Sequence, residues 1–161
     1  MKAYIRLFLA IAVCLLSGVI GSVFTVPAIE TWYVRLRKPD LAPPNWVFGP
    51  IWTMLYFLMG VSLFVVWNVG FDKSTVRRSI IVFSIQLALN ILWSFFFFGL
   101  KSPLLGLVEI VALWFAIVLT IFSFFRVSRI AALILIPYLI WVSFASYLNY
   151  SIFILNLRTV L

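Results

Sequence analysis

From Ser79 to Phe125 the chain reads SIIVFSIQLALNILWSFFFFGLKSPLLGLVEIVALWFAIVLTIFSFF, with only two charged residues, Lys101 and Glu109. Broken at Lys101-Ser102, it gives two apolar runs, each near or above the ~20 residues an α-helix needs to cross a bilayer. Lipid offers backbone amides no partner, so each run must satisfy its own as a helix. The period-two alternation of a membrane β-strand is absent.

Three further runs lie outward from this pair. The spacing predicts spans at Ile5–Val26, Val47–Val69, Ser79–Leu100, Pro103–Phe125 and Ile130–Leu155. The expected fold is all-α, an integral membrane bundle of five transmembrane helices. It forms one domain over residues 1–161, because nothing is left over for a soluble one. Composition agrees: of 161 residues, 66% are hydrophobic and 10% charged, and the mean hydropathy is +1.23. A soluble domain is about half apolar and about a quarter charged, and a small water-soluble fold could not hide this much apolar surface. An ordinary cytosolic enzyme, a disordered tail and a disulfide scaffold are thereby excluded.

Other classes fall to single residue types. Cys14 is the one cysteine, so no internal disulfide can form. There is no histidine, which removes histidine zinc sites, Ser–His–Asp triads and a histidine ligand to haem. No paired carboxylates, phosphate-binding glycine loop, nucleophile–base pair or metal-ligand cluster occurs, so no conventional catalytic motif, metal or cofactor is expected. The net charge of +8 sits in short clusters between apolar runs. Such clusters are headgroup contacts and topology signals, making the lipid bilayer the partner and not a nucleic acid.

Lys2, Arg6, Lys73, Arg77, Arg78, Arg126 and Arg129 fall on the amino-terminal side, against Arg35, Arg37, Lys38, Lys101 and Arg158 opposite. Seven against five puts the N-terminus in the cytoplasm by the positive-inside rule, with the cell membrane as residence. Met1, Lys2 and Arg6 before an apolar run resemble a signal peptide. The run is too long for one and lacks an Ala-x-Ala site, so a retained first helix is expected. Its Ser17/Gly21 and Gly18/Ser22 pairs suit close helix approach in lipid.

Seven Trp, six Tyr and seventeen Phe are the chain's most prominent feature. An interfacial belt accounts for many of them. Others fit a belt badly: Trp52 and Tyr56 share one helical face, and Asn90, Trp93 and Phe97 share another, with Gln86 a turn before. Tyr138, Trp141, Ala145 and Leu148 form a third stripe beside Asn149. The amides Gln86, Asn90, Asn149 and Asn156 either join helices by hydrogen bonds or, with the rings, line a pocket for a flat apolar ligand. Ala145 would leave room for the ring. Glu109 is the only acid deep in a span, and a donor on a neighbouring helix is its expected partner. Pro137 predicts a kink near Tyr138. Pro39, Pro43 and Pro44 resist helix and favour an ordered, extended or turning path for the first loop.

The stretch from Trp32 to Gly60, WYVRLRKPDLAPPNWVFGPIWTMLYFLMG, resembles the signature of the TspO/MBR family, the tryptophan-rich sensory proteins and translocator proteins. Gly21–Phe24, Gln86–Gly99, Pro137–Ala145, Leu148-Asn149 and Asn156 resemble it too, so the similarity covers nearly the whole chain. It implies a five-helix membrane protein, often a homodimer, that binds tetrapyrroles and synthetic ligands in a pocket near the first loop. By the resemblance, Trp52, Asn90, Trp93, Trp141 and Ala145 would line that pocket. Ser22, Tyr33, Pro43, Trp46, Tyr56, Tyr138 and Leu148 would lie in or beside it, under a lid formed by the loop between helices 1 and 2. For the dimer, Ser84 and Ala88 offer a small-residue contact. The sterol pattern of mitochondrial members needs a basic residue soon after a tyrosine; after Tyr150 the first is Arg158, too distant.

Without histidine, iron would need Tyr, Met or Cys. Metal-free porphyrin, stacked on rings and held at its propionates by Arg35, Arg37 or Lys38, fits better, although those cations equally suit lipid phosphates. The leading reading is a membrane receptor or sensor for porphyrin-like ligands. The alternatives are light-dependent oxidative degradation of bound porphyrin, with Trp52 and Trp141 as candidate catalytic residues, a translocator of tetrapyrroles or lipids, and a structural partner subunit.

Overall fold

The computed structural model describes residues 2–157. Five stretches are long and apolar enough to cross a membrane, and the described residues form helices without a strand. They are α1 (Ala3–Thr31), α2 (Phe48–Asn68), α3 (Ser74–Ser94), α4 (Pro103–Phe125) and a broken fifth span, α5 (Arg129–Ile134) with α6 (Ile136–Leu155). Met1 and Arg158 lie outside the described residues.

Three boundaries differ from the hydropathy reading, each for a local reason. α1 runs past Val26 to Thr31 with Pro27 inside it. One missing N–H removes only one bond near a helix end, and the Thr31 hydroxyl returns a bond to the Pro27 carbonyl at 2.7 Å. α3 starts at Ser74, because Arg77 and Arg78 can lie on a helix whose end reaches the headgroups. It ends in a π-helical turn, Phe95–Gly99. The wider turn brings the adjacent Phe97 and Phe98 both into the interior. The kink expected from Pro137 is a break at Leu135: Pro137 cannot donate to the carbonyl one turn back, and a tighter Leu135-to-Ala132 bond takes over.

α1 packs along α2 and α3, α3 along α4, α4 along α6, and α2 closes the ring against α5. At Gly60 α2 comes close to the α1 backbone: a Cβ there would meet the Ile11 Cα at 2.6 Å. Of the small-residue pairs on α1, Gly18 instead faces the Tyr56 ring and Gly21 faces Ser94. Hydrogen bonds fasten other seams: Ser62 to the Ala131 carbonyl at 2.8 Å, Ser79 with Ser123 at 2.8 Å, and Trp114 to Ser143 at 2.8 Å. Ser84 and Ala88 lie on the outer face of α3. Alternating directions gather the C-terminal ends of α1, α3 and α6 at one end of the bundle, with the N-terminal ends of α2 and α4. The first loop, residues 32–47, lies there.

Candidate functional site

A groove of about 470 Å³ opens at this loop end, between α1, α2 and the last turns of α3. α1 supplies Leu15, Gly18, Val19, Ser22, Val26 and Ile29, which recur at three- and four-residue spacing and so share a face. α2 supplies Phe48, Gly49, Trp52, Thr53 and Tyr56; α3 and its π-turn supply Trp93, Ser94 and Phe98. On this face α1 presents glycine and serine where α2 presents rings, and the Tyr56 ring packs directly onto Gly18. A Cβ at Gly18 would lie 2.6 Å from the Tyr56 ring.

The inner wall is a set of touching aromatics. Trp52 lies 5.7 Å from Tyr56, 6.1 Å from Trp93 and 6.4 Å from Tyr138, centroid to centroid. Trp93 in turn stacks on Phe97 at 5.6 Å. Behind the wall runs a polar spine. The Tyr56 hydroxyl donates to Asn90 Oδ1, Asn90 Nδ2 donates to the Tyr138 hydroxyl at 2.8 Å, and Tyr138 donates to Gln86 Oε1 at 3.0 Å. Gln86 Nε2 then reaches Met59 Sδ at 3.9 Å. The Trp93 indole N–H donates to Asn149 Oδ1 at 3.2 Å, and Asn149 donates to the Pro103 carbonyl at 2.8 Å. These amides therefore tie helices together, and they fix the angle at which Tyr56 and Trp93 face the groove.

A second cavity sits on the far side of Trp93 and Phe98, lined also by Tyr33, Phe48, Phe97, Ala145, Leu148, Asn149 and Ile152, and it holds only about 20 Å³. Tyr33 fills the rest of that space. It is 3% exposed and packs on Phe48, Phe97 and Phe98 at 6.2, 6.4 and 5.8 Å. Burial pushes its hydroxyl up to about 12. The Lys38 ammonium lies 4.7 Å from the centre of the Tyr33 ring and donates to the Leu36 carbonyl at 3.3 Å. Burial lowers its pKa from the ordinary lysine value. Asn156 clasps the loop from the end of α6: it accepts from the Arg37 N–H at 3.0 Å and donates to the Arg37 carbonyl at 2.9 Å.

The candidate residues therefore divide. Ser22, Trp52, Tyr56 and Trp93 line the groove; Tyr33, Ala145 and Leu148, with Trp93 from its other side, line the small slot. Asn90 and Tyr138 are buried in the spine. Trp141 lines neither cavity; it stands edge-on to Phe48 at 6.1 Å, its indole N–H shielded and without a partner among the described residues. Pro43 and Trp46 sit in the loop, Trp46 at 74% exposure. Arg35 and Arg37 are exposed there. Glu109 is buried on α4 at 7% exposure, and neither carboxylate oxygen has the expected donor among the described residues. Gly18, Thr25, Gly49, Phe48 and Phe98 also line the groove, beyond the residues the sequence pattern points to. The small residues among them were the available signal, since a small-residue stripe opposite rings leaves space as readily as it permits contact.

The TspO/MBR family model matches residues 10–155. A tryptophan-rich protein TspO from Chlorobaculum tepidum is 50% identical over 155 residues, covering 96% of this chain and 98% of that relative. Another from Archaeoglobus fulgidus is 48% identical, covering 94% and 97%. The human translocator protein is 38% identical over 136 residues, covering 83% of this chain and 79% of its own length.

Proposed function

The chain belongs to the TspO/MBR family, and from that premise we propose that it is a membrane receptor or sensor that binds porphyrin-like tetrapyrroles and other flat hydrophobic ligands in the groove beneath its first loop. The observation that carries this reading is the groove itself. Its roughly 470 Å³ falls in the ~300–1,000 Å³ range of small-molecule sites, and Trp52, Tyr56, Trp93 and Phe98 give one side of it a continuous aromatic wall. A planar conjugated ring would stack there. Metal-free porphyrin is favoured over haem. The sequence has no histidine, the Tyr56 hydroxyl is engaged by Asn90, and Cys14 is buried in α1 outside the groove lining. Exposed Arg35 and Arg37 are the available partners for propionates; Lys38 is already turned onto Tyr33. The loop, plugged by Tyr33 just after α1 and held by Asn156 at Arg37, is the lid of this reading. A homodimer in the cell membrane with a cytoplasmic N-terminus completes it.

Titrating protoporphyrin into the purified protein and following tryptophan fluorescence tests the site. Trp52→Ala is expected to weaken binding at least tenfold, whereas Trp114→Phe, at a distant seam, leaves it unchanged. Equal affinity in both variants would overturn the assignment. One observation favours a second reading, porphyrin degradation in light: Trp52 heads a chain of oxidisable rings at the groove wall. Excited porphyrin would pass its energy to dioxygen, and the singlet oxygen so formed would add across a double bond of the macrocycle or the indole, which it oxidises while being reduced to the bound peroxide level. A photoproduct absent from Trp52→Phe, against bleaching no faster than that of free porphyrin, decides it. Trp141, the other candidate, stands away from the groove.

A further inference from the structure

The groove is long and open on one side. From Leu15 to Ile29 its α1 wall runs about 21 Å at ~1.5 Å per residue, against about 15 Å for half the hydrocarbon core of a bilayer. It begins at the loop end, where headgroups lie, and so spans one leaflet. Its lips are Val19 and Val26 on α1, 59% and 60% exposed, and Thr53 on α2, also exposed. In a bilayer that side faces acyl chains.

Three hydroxyls along the lips and α1 wall of the groove are already used. Ser22 bonds the Val19 carbonyl at 2.7 Å, Thr25 the Gly21 carbonyl at 3.1 Å and Thr53 the Gly49 carbonyl at 2.9 Å. Each presents carbon to the cavity, because a side chain bonded back to its own helix has its donor spent. Within the wall the Ser94 hydroxyl and the Trp52 indole are the remaining polar groups, and at the loop end stands Asn45, with exposed Arg35 and Arg37 on the same loop. Such a channel is complementary to a molecule with an apolar chain and an anionic head.

We propose that the groove between α1 and α2 is a seat for one acyl chain of a membrane phospholipid from the loop-side leaflet, entering sideways between Val19 and Thr53, with its phosphate at Arg35 and Arg37. The inference rests on the reading of this groove as the ligand site. It adds that the site is never empty in a bilayer: a porphyrin enters by displacing a lipid chain.

The test uses the full chain in phosphatidylglycerol vesicles containing a phospholipid with a photoreactive diazirine on its acyl chain, with adducts mapped by mass spectrometry. Adducts are expected to concentrate several-fold on the groove residues Ser22, Thr25 and Thr53 over outward residues such as Val108, Phe122 and Ile140. Ser22→Phe fills the channel and should remove that excess; if it fails to fold, Thr53→Trp fills it from the other wall. Arg35→Gln with Arg37→Gln should lower groove labelling several-fold. Labelling spread evenly over all outward faces, or unchanged by the filling variants, overturns the proposal. Added protoporphyrin separates the two readings. Loss of groove labelling supports both, and undiminished groove labelling leaves the acyl seat standing while the porphyrin reading of this groove falls.

Discussion

Trp93 and Phe98 form a wall with a cavity on each side, and the two cavities differ more than twentyfold in volume, about 470 against about 20 Å³. On the open side α1 offers Ser22 and α2 offers Gly49, with nothing within 4 Å of an added Cβ, while the space at Gly18 is taken by the Tyr56 ring. On the closed side Ala145 faces a slot that Tyr33 also lines, and two of the slot's wall residues, Phe97 and Asn149, are pressed from behind by Gly106. A small residue makes a cavity only when nothing from another segment moves in. Alanine at the third stripe suggests room, but whether room exists is decided across the seam.

The strongest challenge to this comparison is one substitution made on both sides. Gly106→Ala places a Cβ 2.7 Å from the Phe97 ring and 3.0 Å from Asn149 Oδ1. Overpacking of about 1–3 kcal/mol should outweigh the ~1 kcal/mol gained in helix propensity, so the unfolding temperature in detergent falls. Gly49→Ala meets nothing within 4 Å, and it should hold or raise that temperature. Equal losses at both would mean the groove at Gly49 is as tightly packed as the residues behind the slot wall. Asn90→Ala comes next. It strips Tyr56 and Tyr138 of a shared partner, at about 1–3 kcal/mol for a buried unsatisfied group. It should also free the Tyr56 ring, weakening porphyrin quenching along with stability.

Asn156→Ala acts on the roof. Two hydrogen bonds to Arg37 disappear, about 0.5–1.5 kcal/mol each. Hydrogen exchange and protease cutting in residues 36–44 should rise while the spans stay protected. Unchanged protection would show that Tyr33 alone holds the loop. The smallest effect is the pH response of that plug. Burial raises Tyr33 from 10.0 to about 12, so the folded state favours the neutral phenol. Its contribution is complete below pH 10 and is lost as pH rises to about 12. Near-ultraviolet absorbance should report a late tyrosine titration that Tyr33→Phe removes.

Much of this was legible in the chain. The five spans follow from hydropathy to within a few residues, except where helices outrun their apolar cores at Thr31 and Ser74. Pro137 marks the broken fifth span to within two residues. The aromatic and amide stripes identify side chains that meet inside the bundle, since Trp52, Tyr56, Asn90, Trp93 and Tyr138 do come together. They did not distinguish the ring wall from the spine behind it, because one helical face carries both and the partner helix decides which is lined and which is covered. Glu109 was expected to find a donor, and the residues packed around it supply none. The π-turn at Phe95–Gly99, which turns two adjacent phenylalanines inward, has no signal in a run of four identical residues.

The sequence by itself determined how many times this chain crosses a bilayer, its helical nature and its family. Transfer of apolar side chains into lipid is summed locally, and backbone satisfaction leaves helices as the solution. Tertiary structure alone decided where space remains. A void is the difference between two facing surfaces contributed by segments far apart in the chain, and neither surface records the shape of the other.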